Sequence, residues 1–269
     1  MDDLRGAATK PRVLIDDVAF DNVTMRETVS RIVEMARRHD RPRFVCTGNL
    51  DHLVILDRDE AFRSAYADAD LVVADGAPIV WLSKLSGGAA LPERVAGSDL
   101  FWQLAKASSE TGIRLFVLGG APGAAAKAAE VAEKCYPGAA IVGTYCPPFE
   151  TFESEEEQQR IREIVRSARP DVLLVALGAP KQEKWIAANK DLLGVPVSIG
   201  VGGSFEMASG MLRRAPKWVQ RVGLEWFYRF AQQPKRLFQR YFVDDLPYLL
   251  GATFRSALGR MRKPDRLPA

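Results

Sequence analysis

Residues 171–183 read DVLLVALGAPKQE: six apolar residues follow Asp171 without a break, and the run stops at Gly178. Alternation of apolar and polar residues would mark a strand with one wet face. An unbroken run of this length marks a strand covered on both faces, the condition of a parallel sheet between two layers of helices. The same form recurs in RFVCT (43–47), DLVVA (70–74), IRLFVLG (113–119), AAIVGTY (139–145) and VPVSIGVG (195–202). Helical patterns fill the intervals. Thr24 and Glu27 form a capping box that opens a helix running towards Arg38, Ser98 precedes Leu100–Glu110, and Glu153–Ser167 is a charged, solvated helix. This alternation predicts an α/β fold, a Rossmann-like, mostly parallel sheet sandwiched by helices.

The chain has 269 residues, 47% apolar and 26% charged, an ordinary globular composition with ample core. Its three cysteines, Cys46, Cys135 and Cys146, have no CxxC spacing and imply free thiols in a reducing compartment. Two histidines are too few for a zinc site with those scattered cysteines. MDDLRGAATKPR at the start lacks the apolar stretch of a signal peptide, and no run approaches the ~20 apolar residues of a membrane span. Charge is unevenly spread. From Gly210 onwards there are 13 Lys or Arg against 4 Asp or Glu, whereas residues 1–209 carry a slight acidic excess. The expected organisation is an α/β core over 1–209 and a basic, aromatic-rich helical appendage over 210–269. Such a tail points to a polyanionic partner, nucleic acid or an anionic membrane surface.

The appendage opens with a helix at Ala215-Pro216 that carries Trp218, Val219, Val222, Trp226 and Phe230 at helical spacing, until Pro234 interrupts it. Arg229, Arg236 and Arg240 are interleaved with aromatic residues, and residues 242–263 form a broken amphipathic segment suited to lying on a bilayer. The spacing of the aromatics fits packing anchors better than base-stacking platforms.

Strands end on glycine-containing turns: TGN (47–49), DG (75–76), GGAPG (119–123), GAPKQE (178–183) and GVGGSF (200–205). Glycines here allow close backbone approach, and the helix N-termini that follow attract anions, so Gly119, Gly120 and Gly123 join the candidates for contact with a phosphate-bearing ligand. GGAPG is only a partial dinucleotide fingerprint, with Gly143 and Thr144 where the ribose-binding acid belongs. A Walker A loop is missing. The DxD spacings at Asp57–Asp59 and Asp68–Asp70 fall before a strand or in helical sequence, the wrong end of the sheet for metal-nucleotide binding. No Ser-His-Asp arrangement is evident.

What remains is Asp75 at the end of LVVA, with Thr47, Asn49, Arg94 and Gln182. This set suits group transfer from an activated phosphate donor, an acid acting as general base and cationic or amide donors stabilising the leaving group. Each residue also has a structural role open to it. Asp75 would cap the helix after Gly76, Thr47 and Asn49 would build a turn, Arg94 would pair with an acid, and Gln182 would sit at a solvated helix start. A NAD-dependent oxidoreductase and a non-catalytic membrane- or nucleic-acid-binding module stay open as alternatives.

Taken in order, TGN (47–49), ADGAP (74–78), PERVAG (92–97), LGGAPG (118–123), GAPKQE (178–183), GVGGSF (200–205), RAP (214–216), GLEW (223–226) and Tyr228-Arg229 resemble the WecG/TagA/CpsF glycosyltransferases, glycosyltransferase family 26, from about Arg12 to Tyr241. The resemblance implies transfer of N-acetylmannosamine, its uronic acid or another hexose from a UDP-sugar donor. The acceptor would be a polyprenyl-diphosphate-linked sugar at the inner face of the cytoplasmic membrane, with inversion and without cofactor or essential metal. It implies Asp75 as general base, Thr47, Asn49, Arg94 and Gln182 as pocket residues, and Arg229, Arg236 and Arg240 as leaving-group stabilisers on a membrane-docking appendage. No nucleic-acid partner is implied, and self-association into homo-oligomers is left open.

Overall fold

The computed structural model describes residues 11–85, 89–221 and 223–257, with the side chains of residues 221 and 255–257 left aside. The basic residues Arg260, Arg262, Lys263 and Arg266 lie outside the described residues, as do the first ten. Two short strands, β1 (Val13–Ile15) and β2 (Val18–Phe20), pair as an antiparallel hairpin. Six strands follow: β3 (Arg43–Gly48), β4 (Leu71–Ala74), β5 (Arg114–Gly119), β6 (Ala140–Tyr145), β7 (Val172–Ala176) and β8 (Val197–Gly200). They form one parallel sheet in the order β4-β3-β8-β7-β5-β6. The Rossmann-like sandwich expected from the apolar runs is present.

The runs are continuous because each face of the sheet has its own core. Phe44, Cys46, Leu173 and Val175 point into one cluster, with Leu53, Phe62, Tyr66, Ile79, Trp185 and Ile186 from the helices Leu50–Leu56, Glu60–Ala67, Ala77–Leu85 and Lys181–Leu193. Val45, Val73, Leu174 and Ile199 point the other way, onto Ile32, Leu100, Phe101, Leu104 and Phe205 from the helices Met25–Arg38, Gly97–Thr111 and Ser204–Ala208. Burying one such Leu or Phe contributes roughly 1.5–3 kcal/mol, so a single polar substitution in these strands is severe. The capping box at Thr24 and Glu27 is formed from both sides.

The hairpin shields an edge. Asp21, just after β2, donates its N–H to the Val72 carbonyl and accepts the Val72 N–H on its carboxylate, so β4 does not present a bare edge along that register.

Sequence periodicity predicts one helix from Ala215 to Pro234, but the chain makes two, Lys217–Arg221 and Glu225–Gln232. Gly223 separates them with φ of 78°, a left-handed conformation, and a Cβ there would lie 2.5 Å from Trp81 Cζ2. The Trp81 indole thus occupies the space that lets the chain bend back onto the core. Beyond it come Pro234–Phe238, a π-helical turn Gln239–Asp245, and Leu246–Ala257. Among the described residues no helix is long and apolar enough to cross a membrane.

Candidate active site

The sheet order places the carboxyl ends of β4, β3, β8 and β7 side by side, and the loops leaving them surround a cavity of about 310 Å³. β3 leads into helices on one face of the sheet, whereas β8 leads into the helix Ser204–Ala208 on the other. Ligands collect at such a divergence in open α/β sheets. Residues between Leu212 and Leu249 supply the opposite wall, including Arg213, Arg214, Trp226, Tyr228, Arg229, Arg236, Arg240 and Asp245.

Asp75 leaves β4 just before Gly76, whose φ is 114°. Its carboxylate does not cap the helix that follows. It accepts the backbone N–H of Gly97 at 3.2 Å, at the start of Gly97–Thr111, where Ala96 has no side-chain acceptor of its own. Burial pushes the Asp75 carboxyl up to about 6, against the Gly97 hydrogen bond and the Arg94 charge, which pull it down. A carboxylate held near 6 is ionised at neutral pH yet basic enough to take a proton from a hydroxyl.

Thr47 donates its hydroxyl to the Gly200 carbonyl at 2.8 Å, fastening β3 to β8 under the cavity. Asn49 caps Leu50–Leu56 by accepting the His52 N–H, and its Oδ1 lies 3.4 Å from an Arg240 Nη. Gln182 is not at a solvated helix start. It is buried, donates from Nε2 to Glu183 Oε1 at 2.6 Å, and accepts the Gly202 N–H at 3.0 Å, so one carboxamide joins the two glycine loops that floor the cavity.

Arg94 reaches across to the segment around Glu225. It pairs with Glu225, donates from Nη2 to Gln220 Oε1 at 3.0 Å, and lies 3.7 Å from Asp99, while Arg214 pairs with Asp99 at 2.6 Å and Glu225 at 3.6 Å. Two arginines and two acids therefore clamp the segment around Glu225 to the helix Gly97–Thr111. Arg240 lies between Asp51 and Asp245. Arg213, Arg229 and Arg236 differ: among the described residues none has a carboxylate within ion-pair distance. The Arg229 guanidinium lies over Gly203, where a Cβ would approach it to 2.7 Å.

Beneath the floor is a buried polar set that the sequence did not single out. His52 Nδ1 meets the Tyr66 hydroxyl at 2.8 Å, and its Nε2 lies 3.9 Å from Glu183. Burial drives His52 down to about 3 and Glu183 up to about 7, so the imidazole is neutral and supplies no counter-charge to the acid. Asp51, Arg214, Glu225 and Asp245 are further cavity residues. Glu225 lies inside GLEW (223–226) and Asp51 stands two residues after Asn49 of TGN, which was the available signal.

Thr47, Asn49, Asp75, Arg94, Gln182, Arg229, Arg236 and Arg240 all line this one cavity. Gly119, Gly120 and Gly123 do not; they lie at the end of β5, beyond β7. Gly119 has a packing reason to be glycine, since a Cβ would lie 2.5 Å from the Ala176 carbonyl oxygen. Among the described residues no group of three or more His, Cys, Asp or Glu is placed to hold a metal ion.

Residues 13–263 match the Glycosyl transferase WecG/TagA/CpsF family. The chain is 30% identical over 228 residues to an N-acetylglucosaminyldiphosphoundecaprenol N-acetyl-beta-D-mannosaminyltransferase of Bacillus spizizenii strain W23, covering 85% of each chain. It is 33% identical over 182 residues to the protein of the same name from Bacillus subtilis strain 168, covering 68% of each. A Rossmann-like sheet, an acid at a strand end and a cavity walled by arginines meet a match over most of the length, and the chain belongs to the WecG/TagA/CpsF family of glycosyltransferases.

Proposed function

We propose that the protein transfers a hexose-type sugar, N-acetylmannosamine, its uronic acid or a glucose- or glucuronic acid-type sugar, from a UDP donor to a polyprenyl-diphosphate-linked sugar. The product would be an intermediate in a bacterial cell-surface polysaccharide. One observation carries this reading: Asp75 shares its cavity with Arg229, Arg236 and Arg213, none of which has a carboxylate in ion-pair range among the described residues. An acid poised near 6 suits a hydroxyl nucleophile, and uncommitted guanidiniums suit the charge that builds on a departing diphosphate. The two relatives' names specify a sugar-diphosphoundecaprenol acceptor and an N-acetylmannosaminyl group.

In this mechanism the acceptor hydroxyl gives its proton to Asp75 as it attacks the anomeric carbon. The bond to the UDP oxygen breaks, and the anomeric configuration inverts. Arg229 and Arg236 neutralise the leaving diphosphate without a metal, and Arg240, screened by Asp51 and Asp245, contributes less. Arg94 and Gln182 hold the walls and floor in register, and Thr47 and Asn49 fix the end of β3. A nucleotide extending past β7 would reach Gly119, Gly120 and Gly123.

Residues from 210 onwards act as an appendage that completes the site and docks on the inner face of the cytoplasmic membrane. In support, among the described residues nine of the fourteen exposed large apolar side chains follow Gly210, among them Trp218, Phe227, Phe238, Leu250 and Phe254. Such a concentration next to arginines fits an anionic bilayer.

The test is transfer of labelled sugar from a panel of UDP-sugars to N-acetylglucosaminyl-diphosphoundecaprenol in vesicles, with and without EDTA, and the product anomer read by NMR. Transfer that survives EDTA with inverted anomer supports the proposal. Absence of transfer from every UDP-sugar overturns the donor assignment.

A further inference from the structure

The corner of the cavity around Arg240 has a chemistry that differs from the rest. Arg240 Nε lies 3.2 Å from Asp51 Oδ2 and 3.8 Å from Asp245 Oδ2, within ion-pair range of both. It nevertheless makes no hydrogen bond and is buried, and neither does the buried Asp245 Oδ1. Asp245 is 7% exposed, and all three residues line the cavity. One unsatisfied donor and one unsatisfied acceptor thus share a desolvated corner, closed to a water-sized group in this conformation, so a ligand reaches them only as the Arg240 or Asp245 side chain turns towards the cavity.

Buried polar atoms without partners are costly, and their pattern describes what would satisfy them. A diphosphate only accepts hydrogen bonds; it would suit Arg240 but would be repelled by Asp51 and Asp245. A polyprenyl chain offers neither donor nor acceptor. A hydroxyl offers both. Burial raises the Asp51 carboxyl and pushes Asp245 up to about 7, so both acids gain from a neutral donor that solvates their charge. Asp51 comes from the core helix Leu50–Leu56 and Asp245 from the π-helical turn, so this corner exists only while the two parts are together.

We propose that Asp245, with Asp51 and Arg240, forms a subsite that binds a hydroxyl of a sugar substrate, Asp245 Oδ1 accepting from it and Arg240 Nε donating to it. The subsite rests on the reading of this cavity as the place of sugar transfer. Either the donor sugar or the sugar of the lipid-linked acceptor would present that hydroxyl, and the kinetics separate the two.

The experiment uses the full chain with UDP-N-acetylmannosamine and N-acetylglucosaminyl-diphosphoundecaprenol. Asp245→Ala should raise KM for one substrate about 10- to 100-fold, the effect of losing a hydrogen bond to a charged group. The other KM should stay fixed and kcat should change by less than about threefold. The substrate whose KM moves identifies the sugar. Monodeoxy analogues of that sugar then locate the hydroxyl: one analogue should lose a similar factor on the wild type and nothing more on Asp245→Ala. Asp51→Asn, made in the core, gives the same readout if the Asp245 variant fails to fold. Unchanged KM for both substrates, or equal deoxy penalties in variant and wild type, overturns the subsite. Asp75→Asn is run alongside. Full turnover by that variant would show that the cavity is not the reaction site, whereas its inactivity beside normal Asp245 and Asp51 variants would remove the hydroxyl subsite alone.

Discussion

Asp75 and Gly97 are joined by a 3.2 Å hydrogen bond across 22 residues of sequence, so the acid at the end of β4 caps a helix from a later part of the chain. Capping and base catalysis are separable at this residue. The Oδ1 of an asparagine accepts the same N–H but cannot take a proton. Asp75→Asn should therefore lower kcat about 10²- to 10⁴-fold, the usual worth of a general base, while Tm stays within a few degrees. A lowered Tm with preserved kcat would assign the residue to capping alone.

The pH profile follows from the same carboxylate. Its folded-state value is raised to about 6, and the base must be ionised to act. Below pH 6, kcat/KM should fall about tenfold per unit, levelling off above 7. A profile flat between pH 5 and 7 contradicts Asp75 as the base.

Glu183 predicts a stability effect of the opposite sense to that of a salt-bridged acid. Its folded value is about 7 against 4.5 for the free side chain, so the folded protein holds a proton that the unfolded chain releases in this window. The stabilisation is full below about 4.5 and is lost as pH rises through 7, to the extent of about 3 kcal/mol. Glu183→Gln cannot ionise and keeps an acceptor for Gln182. The difference in Tm between variant and wild type should shift in favour of the variant from pH 5 to pH 8, as read by calorimetry at both.

Glu225 joins two arginines, Arg94 and Arg214, and removing its charge leaves both half-buried guanidiniums short of a partner. Glu225→Gln should loosen 217–232 by about 1–3 kcal/mol. Hydrogen exchange should quicken there while amides of β3, β7 and β8 keep their protection. Uniform loss of protection would instead mean global destabilisation.

Much of the fold was legible because a parallel sheet writes itself as unbroken apolar runs, as in 171–178. The hairpin of β1 and β2 was not: three-residue strands around Asp16-Asp17 are too short to show a period. The break at Gly223 was hidden by an apolar spacing that continues through it, and its reason lies with Trp81 and Ala77, over 140 residues earlier. Asp75, Thr47, Asn49 and Gln182 were legible as candidates from their places at or just after strand ends, and Arg94 from the PERVAG turn before the helix Gly97–Thr111. The buried acids Glu183 and Asp245 were not, since their environment is made by segments far apart in the chain.

The pairing of β3 with β8 puts Arg43 beside Val197 and Phe44 beside Ser198. On the ribosome, therefore, one flank of β3 waits for most of the chain to emerge before it finds its neighbour, an aggregation-prone interval for an apolar strand. The arginine wall is translated later still. On the mechanism proposed above, a chain extended only as far as β8 holds Asp75 and Arg94 without Arg229 and Arg236, and should not turn over an activated sugar.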